Sequence, residues 1–147
     1  METTQTNNFD LLIGIDPGLH TGLAVFNCKE KKLIIVTSTT ITDAIWTVLN
    51  YHRTSLKIGV IVEDARQRKW FGSKGKEALQ GAGSIKRDCQ IWEDFSKEIN
   101  CEFQMQPPKK GMTKYDANAF KKLTGWQGRT NSHSRDAAML VFGKIVL

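Results

Sequence analysis

The chain has 147 residues, 40% of them hydrophobic and 24% charged, enough for one folded domain with its own core and unlike a disordered tract. A total of 21 Lys and Arg against 15 Asp and Glu gives a formal charge of +6, which favours a polyanionic partner. No stretch is apolar for the length of a bilayer crossing, and the polar opening METTQTNNFD lacks the basic-then-apolar pattern of a secretory leader. Cys28, Cys89 and Cys101 are odd in number, widely spaced and without a C-x-x-C pair, which suits small core residues in a reducing cytoplasm rather than a disulfide framework or a zinc site.

Residues 1–9 are expected to form a flexible tail and 10–147 a single domain. LLIGID, Leu11 to Asp16, is short, apolar and stopped by Pro17-Gly18, as a central strand would be. TGLAVFN, Thr21 to Asn27, and LIIVTS after the charged turn Lys29 to Lys32 complete an antiparallel meander. Apolar residues at 41, 44, 45, 48 and 49 predict a helix over Ile41 to His52, capped by Thr40 or Thr42, with Trp46 in the core. KIGVIVE then reads as a strand buried on both faces and reached by a crossover helix. A long helix is expected across Gly75 to Asn100, its stripe running Leu79, Ala82, Ile85, Cys89, Ile91, Trp92, Phe95 and Ile99. Gly81 and Gly83 inside that helix cost about 1 kcal/mol each relative to Ala, which close approach of another backbone would justify. CEFQMQ is a fifth strand ended by Pro107-Pro108; Asp116 to Leu123 and Ser134 to Ile145 read as the closing helices. The sum is an α/β domain: a mixed five-stranded sheet, three antiparallel strands then two parallel crossovers, with helices on both faces.

Two strands end on an acid, Asp16 and Glu63, and in this topology the first and fourth strands are parallel neighbours. The acids then stand side by side where α/β folds place ligands. His133 and Asp136, three apart in the first turn of the last helix, face one way. Carboxylates crowded together repel, and a divalent cation relieves the repulsion. Oxygen ligands in an open site suit Mg²⁺, as a pair of ions, with Mn²⁺ accommodated by His133. Each residue also has a plainer reading. Asp16 can start a turn, Asp64 can be the ligand in place of Glu63, Asp136 can complement the helix dipole, and His133 can be a surface histidine.

The motifs IGIDPGLHTG (Ile13 to Gly22), VIVEDAR (Val60 to Arg66) and HSRDAAML (His133 to Leu140) resemble those of the RuvC-like Holliday junction resolvases, in the RNase H-like superfamily. The compact members from phages and prophages are the nearest in form, and the likeness spans Leu11 to Leu147 in element order. LQGAGSIKR, Leu79 to Arg87, is similar to the small-residue helix of that family. The resemblance implies an RNase H-like fold and a metal-dependent, structure-selective endonuclease that cuts four-way DNA junctions by attack of water. It implies Asp16, Glu63 and Asp136 as metal ligands, and Lys114 as the lysine that reaches the scissile region. His133 stands where many members have aspartate. It also implies a homodimer, for which Gly81 to Gly83 is a candidate interface alongside packing on the chain's own sheet. No extended basic tail follows the last helix, so dependence on a branch-migration complex is not expected.

Between Arg66 and Lys76 lie five bases and no acid: Arg66, Arg68, Lys69, Lys74 and Lys76. Directly after Glu63, they are placed to neutralise phosphates. Trp70 and Phe71 among them are candidates to stack on an unpaired base or wedge into a junction, or else to pack at the core edge. Lys109 and Lys110 are further expected phosphate contacts. Three other readings compete: an RNase H-like nuclease acting on RNA, a catalytically inert junction-binding protein, and an ATPase. GIDPGLHTG also resembles the phosphate-binding hairpin of the actin, sugar-kinase and heat-shock ATPases, but those need two such domains.

Overall fold

The computed structural model describes residues 8–67, 75–108 and 114–143, with side chains in the middle segment described from residue 83 onward. A five-stranded sheet forms its centre: β1 (Leu11–Asp16), β2 (Thr21–Asn27), β3 (Lys32–Thr39), β4 (Ile58–Glu63) and β5 (Glu102–Gln106), in spatial order β3-β2-β1-β4-β5. β1 to β3 pair antiparallel; β1 with β4 and β4 with β5 pair parallel. The parallel pairs need crossovers, supplied by α1 (Ile41–His52) and α2 (Gly75–Glu98), while α3 (Ala117–Thr124) and α4 (Ser132–Val141) follow the last strand. The α/β expectation holds, with the mixed sheet and helices on both faces.

Alternation along the central strands decides which side chain meets which layer. Leu11, Ile13, Ile15, Val60 and Val62 turn toward Ala44 and Val48 of α1 and Trp92 of α2. Leu12, Ile61, Ala24 and Phe26 turn the other way, onto Phe120 of α3 and Ala137, Ala138 and Val141 of α4. Burying both faces explains the unbroken apolar runs of β1 and β4. Edge strands β3 and β5 are only partly buried, which their charged ends suit.

The helices start where local chemistry satisfies their first amides. The Thr40 side chain accepts from the Asp43 amide and the Asp116 carboxylate from the Ala119 amide. Asn131 and Ser134 exchange hydrogen bonds as a capping box for α4, so this helix begins at Ser132 and places His133 inside its first turn. It ends at Val141, short of the expected Ile145; residues 144–147 lie outside the described chain.

Two packing expectations need correction, and one alternative is removed. Trp46 is not core: it is 51% exposed on the outer side of α1, with the Arg53 guanidinium 6.0 Å from its ring centroid. The stripe turns inward through Ala44 and Val48, and the bulky ring lies off that arc. Ile85, assigned to the α2 stripe, is also exposed. Among the described residues nothing lies within 4 Å of a Cβ built on Gly83, so packing on the chain's own sheet does not account for that glycine. Trp92 is fully buried, as expected. Cys89 is buried and Cys28 and Cys101 are half-buried at the core margins. Among the described residues no helix is long and apolar enough to cross a membrane.

Candidate active site

The parallel register pairs Ile15 with Val62, so Asp16 and Glu63, the next residues, end their strands side by side. Asp16 shares a face with Leu12, and Glu63 shares it with Ile61. That face is the one covered by α4. The acids are therefore aimed at the helix carrying His133 and Asp136.

Two glycines set how close the helix comes. A Cβ on Gly14 would sit 2.2 Å from the Ala137 carbonyl oxygen, and one on Gly22 would sit 2.0 Å from the His133 carbonyl oxygen. Only the absence of a side chain at both places lets the α4 backbone rest on β1 and β2. Gly22 also pairs with Asp16 across the hairpin. The glycine that seats the helix thus lies beside the first acid. The Thr21 hydroxyl donates to the Gly18 carbonyl at 2.9 Å and tightens the turn after Asp16.

The groups converge. His133 Nδ1 stands 3.5 Å from Asp16 Oδ2, and Lys114 Nζ donates to Asp136 Oδ2 at 3.3 Å. Burial pushes the Asp16 carboxyl up to about 7, reinforced by the negative charge of Glu63 and then Asp136, while His133 pulls it partly back. Asp16 is thus a mostly buried carboxylate facing two others at electrostatic range. The four donors are neighbours rather than a closed cage. Among the described residues no three His, Cys, Asp or Glu side chains stand at spacing ready to coordinate an ion. Their chemistry still fits a hard divalent cation. The acid repulsion and the burial cost both act against the ionised Asp16, and both are offset by local positive charge.

Asp64, the alternative ligand, is otherwise engaged. It is 3% exposed, and Arg66 donates to both its oxygens, Nε to Oδ1 at 2.8 Å and Nη2 to Oδ2 at 2.9 Å. Gln67 adds a bond at 3.2 Å. Arg66, foremost among these donors, holds the Asp64 carboxyl below its ordinary range. The same guanidinium reaches Glu93 of α2 at 2.9 Å. Arg66, expected among the phosphate contacts, is therefore committed to two carboxylates that tie the end of β4 to α2. Arg68, Lys69, Trp70, Phe71, Lys74, Lys109 and Lys110 lie outside the described residues, and Lys76 belongs to the part of α2 whose side chains are not described.

Sequence reading passed over His20, whose ring centroid lies 6.3 Å from that of His133, on the exposed turn flanking Asp16. Its place in GIDPGLHTG was the available signal. The glycines at 14 and 22 were visible too, but only the seated helix explains their spacing. No protein-family model matches the chain, and no curated protein is significantly similar to it.

Proposed function

We propose that this protein is a metal-dependent, structure-selective DNA endonuclease of the RNase H-like, RuvC-resembling kind, acting on four-way or branched junctions. The observation that carries the proposal is the seating of α4 on Gly14 and Gly22, which brings His133 and Asp136 over the paired strand ends at Asp16 and Glu63. In this reading Asp16, Glu63 and Asp136 hold the cations, with His133 as a further donor. Two Mg²⁺ ions, when bound, would supply positive charge for the attacking water and the leaving oxygen of a phosphodiester.

The chain's own residues account for the remaining work. Lys114, 76% exposed and 3.3 Å from Asp136, belongs to the rim, where its ammonium meets a phosphate oxygen and offsets developing charge. Burial of Asp16 strengthens the attraction of its carboxylate for a cation. The Arg66 bonds to Asp64 and Glu93 fix the chain immediately after Glu63 and hold that carboxylate level with Asp16. The basic run up to Lys76 and the pair Lys109 and Lys110 supply phosphate neutralisation. A symmetric pair of cuts calls for two copies, and the open flank of α2 at Gly83 is a surface on which a second copy would fit.

The test is incubation of the protein with an end-labelled four-way DNA junction, with and without Mg²⁺, beside linear duplex and an RNA–DNA hybrid. Paired cuts in the junction arms that require Mg²⁺ and vanish in Asp16→Asn support the proposal. Cleavage confined to the hybrid would move the substrate to RNA. Junction binding without cleavage under any metal would leave a binding protein.

A further inference from the structure

Apart from the acid cluster, the protein carries a concavity between α3 and the loop that joins α3 to α4. It is open to solvent, has a volume of about 330 Å³, and is lined by Asn118, Lys121, Trp126, Gly128, Arg129 and Thr130, among others. Its lining holds two cations and no carboxylate. The nearest acid in sequence, Asp116, is engaged in capping α3 through the Ala119 amide at 2.8 Å. The Trp126 indole nitrogen is buried without an acceptor among the described residues. A Cβ on Gly128 would come within 2.9 Å of that nitrogen, so glycine lets the loop backbone lie against the ring.

Hydrogen bonds tie the pocket wall to the segment that carries Lys114 and to the helix that carries Asp136. Thr130 immediately precedes the Asn131 cap of α4, and its hydroxyl accepts from Arg135 Nη1 at 2.8 Å. The same guanidinium donates through Nε to the Tyr115 carbonyl at 2.9 Å, beside Lys114. Arg135 therefore locks the pocket wall, the Lys114 segment and the first turn of α4 into one body.

We propose that this pocket receives one unpaired nucleotide of the nucleic-acid substrate, its phosphate drawn by Lys121 and Arg129 and its base set beside Trp126. The inference rests on the nucleic-acid reading above and adds to it a defined subsite. The volume is at the low end of small-ligand sites and far beyond what a phosphate ion needs. An aromatic wall beside two cations is the combination by which proteins hold single-stranded bases without reading their sequence. The Asn118 side chain and the Thr130 hydroxyl on the pocket wall supply polar edge contacts that an apolar ligand would leave unmet.

The experiment titrates the full chain in EDTA with deoxynucleoside 5′-monophosphates, inorganic phosphate and unphosphorylated deoxynucleosides, followed by isothermal titration calorimetry. Saturable binding of monophosphates at least tenfold tighter than phosphate or nucleoside is expected. Lys121→Ala combined with Arg129→Ala should weaken it at least tenfold, and Trp126→Leu, which removes the aromatic wall, several-fold. Thermal melting of each variant controls for folding. Equal affinity for inorganic phosphate, or unchanged affinity in the double variant, would overturn the proposal. Because metal and cleavage are absent from the assay, failure to cut junctions leaves this result readable. Junction cleavage alongside unaltered nucleotide binding in the double variant would remove the subsite and keep the endonuclease.

Discussion

Replacing Asp16 by Asn removes a charge without changing shape, and the site's electrostatics set the outcome. Folding lifts this carboxyl from 3.8 to about 7, chiefly through burial, then through Glu63 and Asp136. At 1.36 kcal/mol per unit, ionised Asp16 costs the metal-free fold about 4 kcal/mol at most. Asn forfeits the favourable pairing with His133 and leaves Glu63 and Asp136 facing each other, so about half, roughly 2 kcal/mol, should be recovered. For a chain of this size that raises Tm by about 5 °C. The sign with pH follows from the raised value. Stability from the protonated carboxyl is fully present below about 4 and is lost as pH rises through about 7. The gap between Asp16→Asn and wild type should therefore be near zero at pH 4, widen toward pH 7 and level off above it. Differential scanning fluorimetry or calorimetry in EDTA across that range measures it. Repeating the pH 8 scan in excess Mg²⁺ should shrink the gap, because a cation binding the folded wild type stabilises it selectively. An unchanged or lower Tm for Asp16→Asn in EDTA at pH 8 would refute close packing of the three carboxylates.

Gly22→Ala should destabilise by about 1–3 kcal/mol through overpacking and abolish metal-dependent cleavage, because the methyl would meet the His133 carbonyl at 2.0 Å. Urea melts and the junction assay check the two effects, and full activity would show that α4 need not rest there. Arg66→Ala should cost about 3 kcal/mol by leaving buried Asp64 uncompensated, read as a lower denaturation midpoint. A stable variant with weakened DNA binding would instead make Arg66 a phosphate contact. Lys114→Ala should slow turnover at least tenfold with junction affinity changed less, in single-turnover and gel-shift measurements. The opposite pattern would demote it to an ordinary backbone contact. Trp46→Ser should destabilise by about 1–2 kcal/mol, well short of the roughly 3–5 kcal/mol expected for a core tryptophan, since the ring is half exposed.

The strands and helices were legible in the chain because their signals are local. Two-sided burial writes unbroken apolar runs into β1 and β4, and Thr40, Asp116 and Asn131 cap helices through bonds spanning three residues. Topology followed from the order of elements, since a crossover returning to a meander has few places to go. From these, the neighbouring of Asp16 and Glu63 could be derived. Other features depended on partners distant in sequence. Trp46 fits a helical stripe on paper, but the width of the buried arc is set by what α1 packs against. Arg66 looks like one more base in a basic run, and only the approach of Glu93 from α2 and the burial of Asp64 make it a strut. Gly14 and Gly22 are merely strand residues in the sequence until a helix more than 100 positions later lies on them. Composition and periodicity thus determined the elements, their order and the acids at their ends, because those are fixed by short-range backbone chemistry and one-dimensional burial patterns. The distance between those acids and the charge each can bear were decided by tertiary packing alone, because desolvation and Coulomb forces depend on what surrounds a group in space.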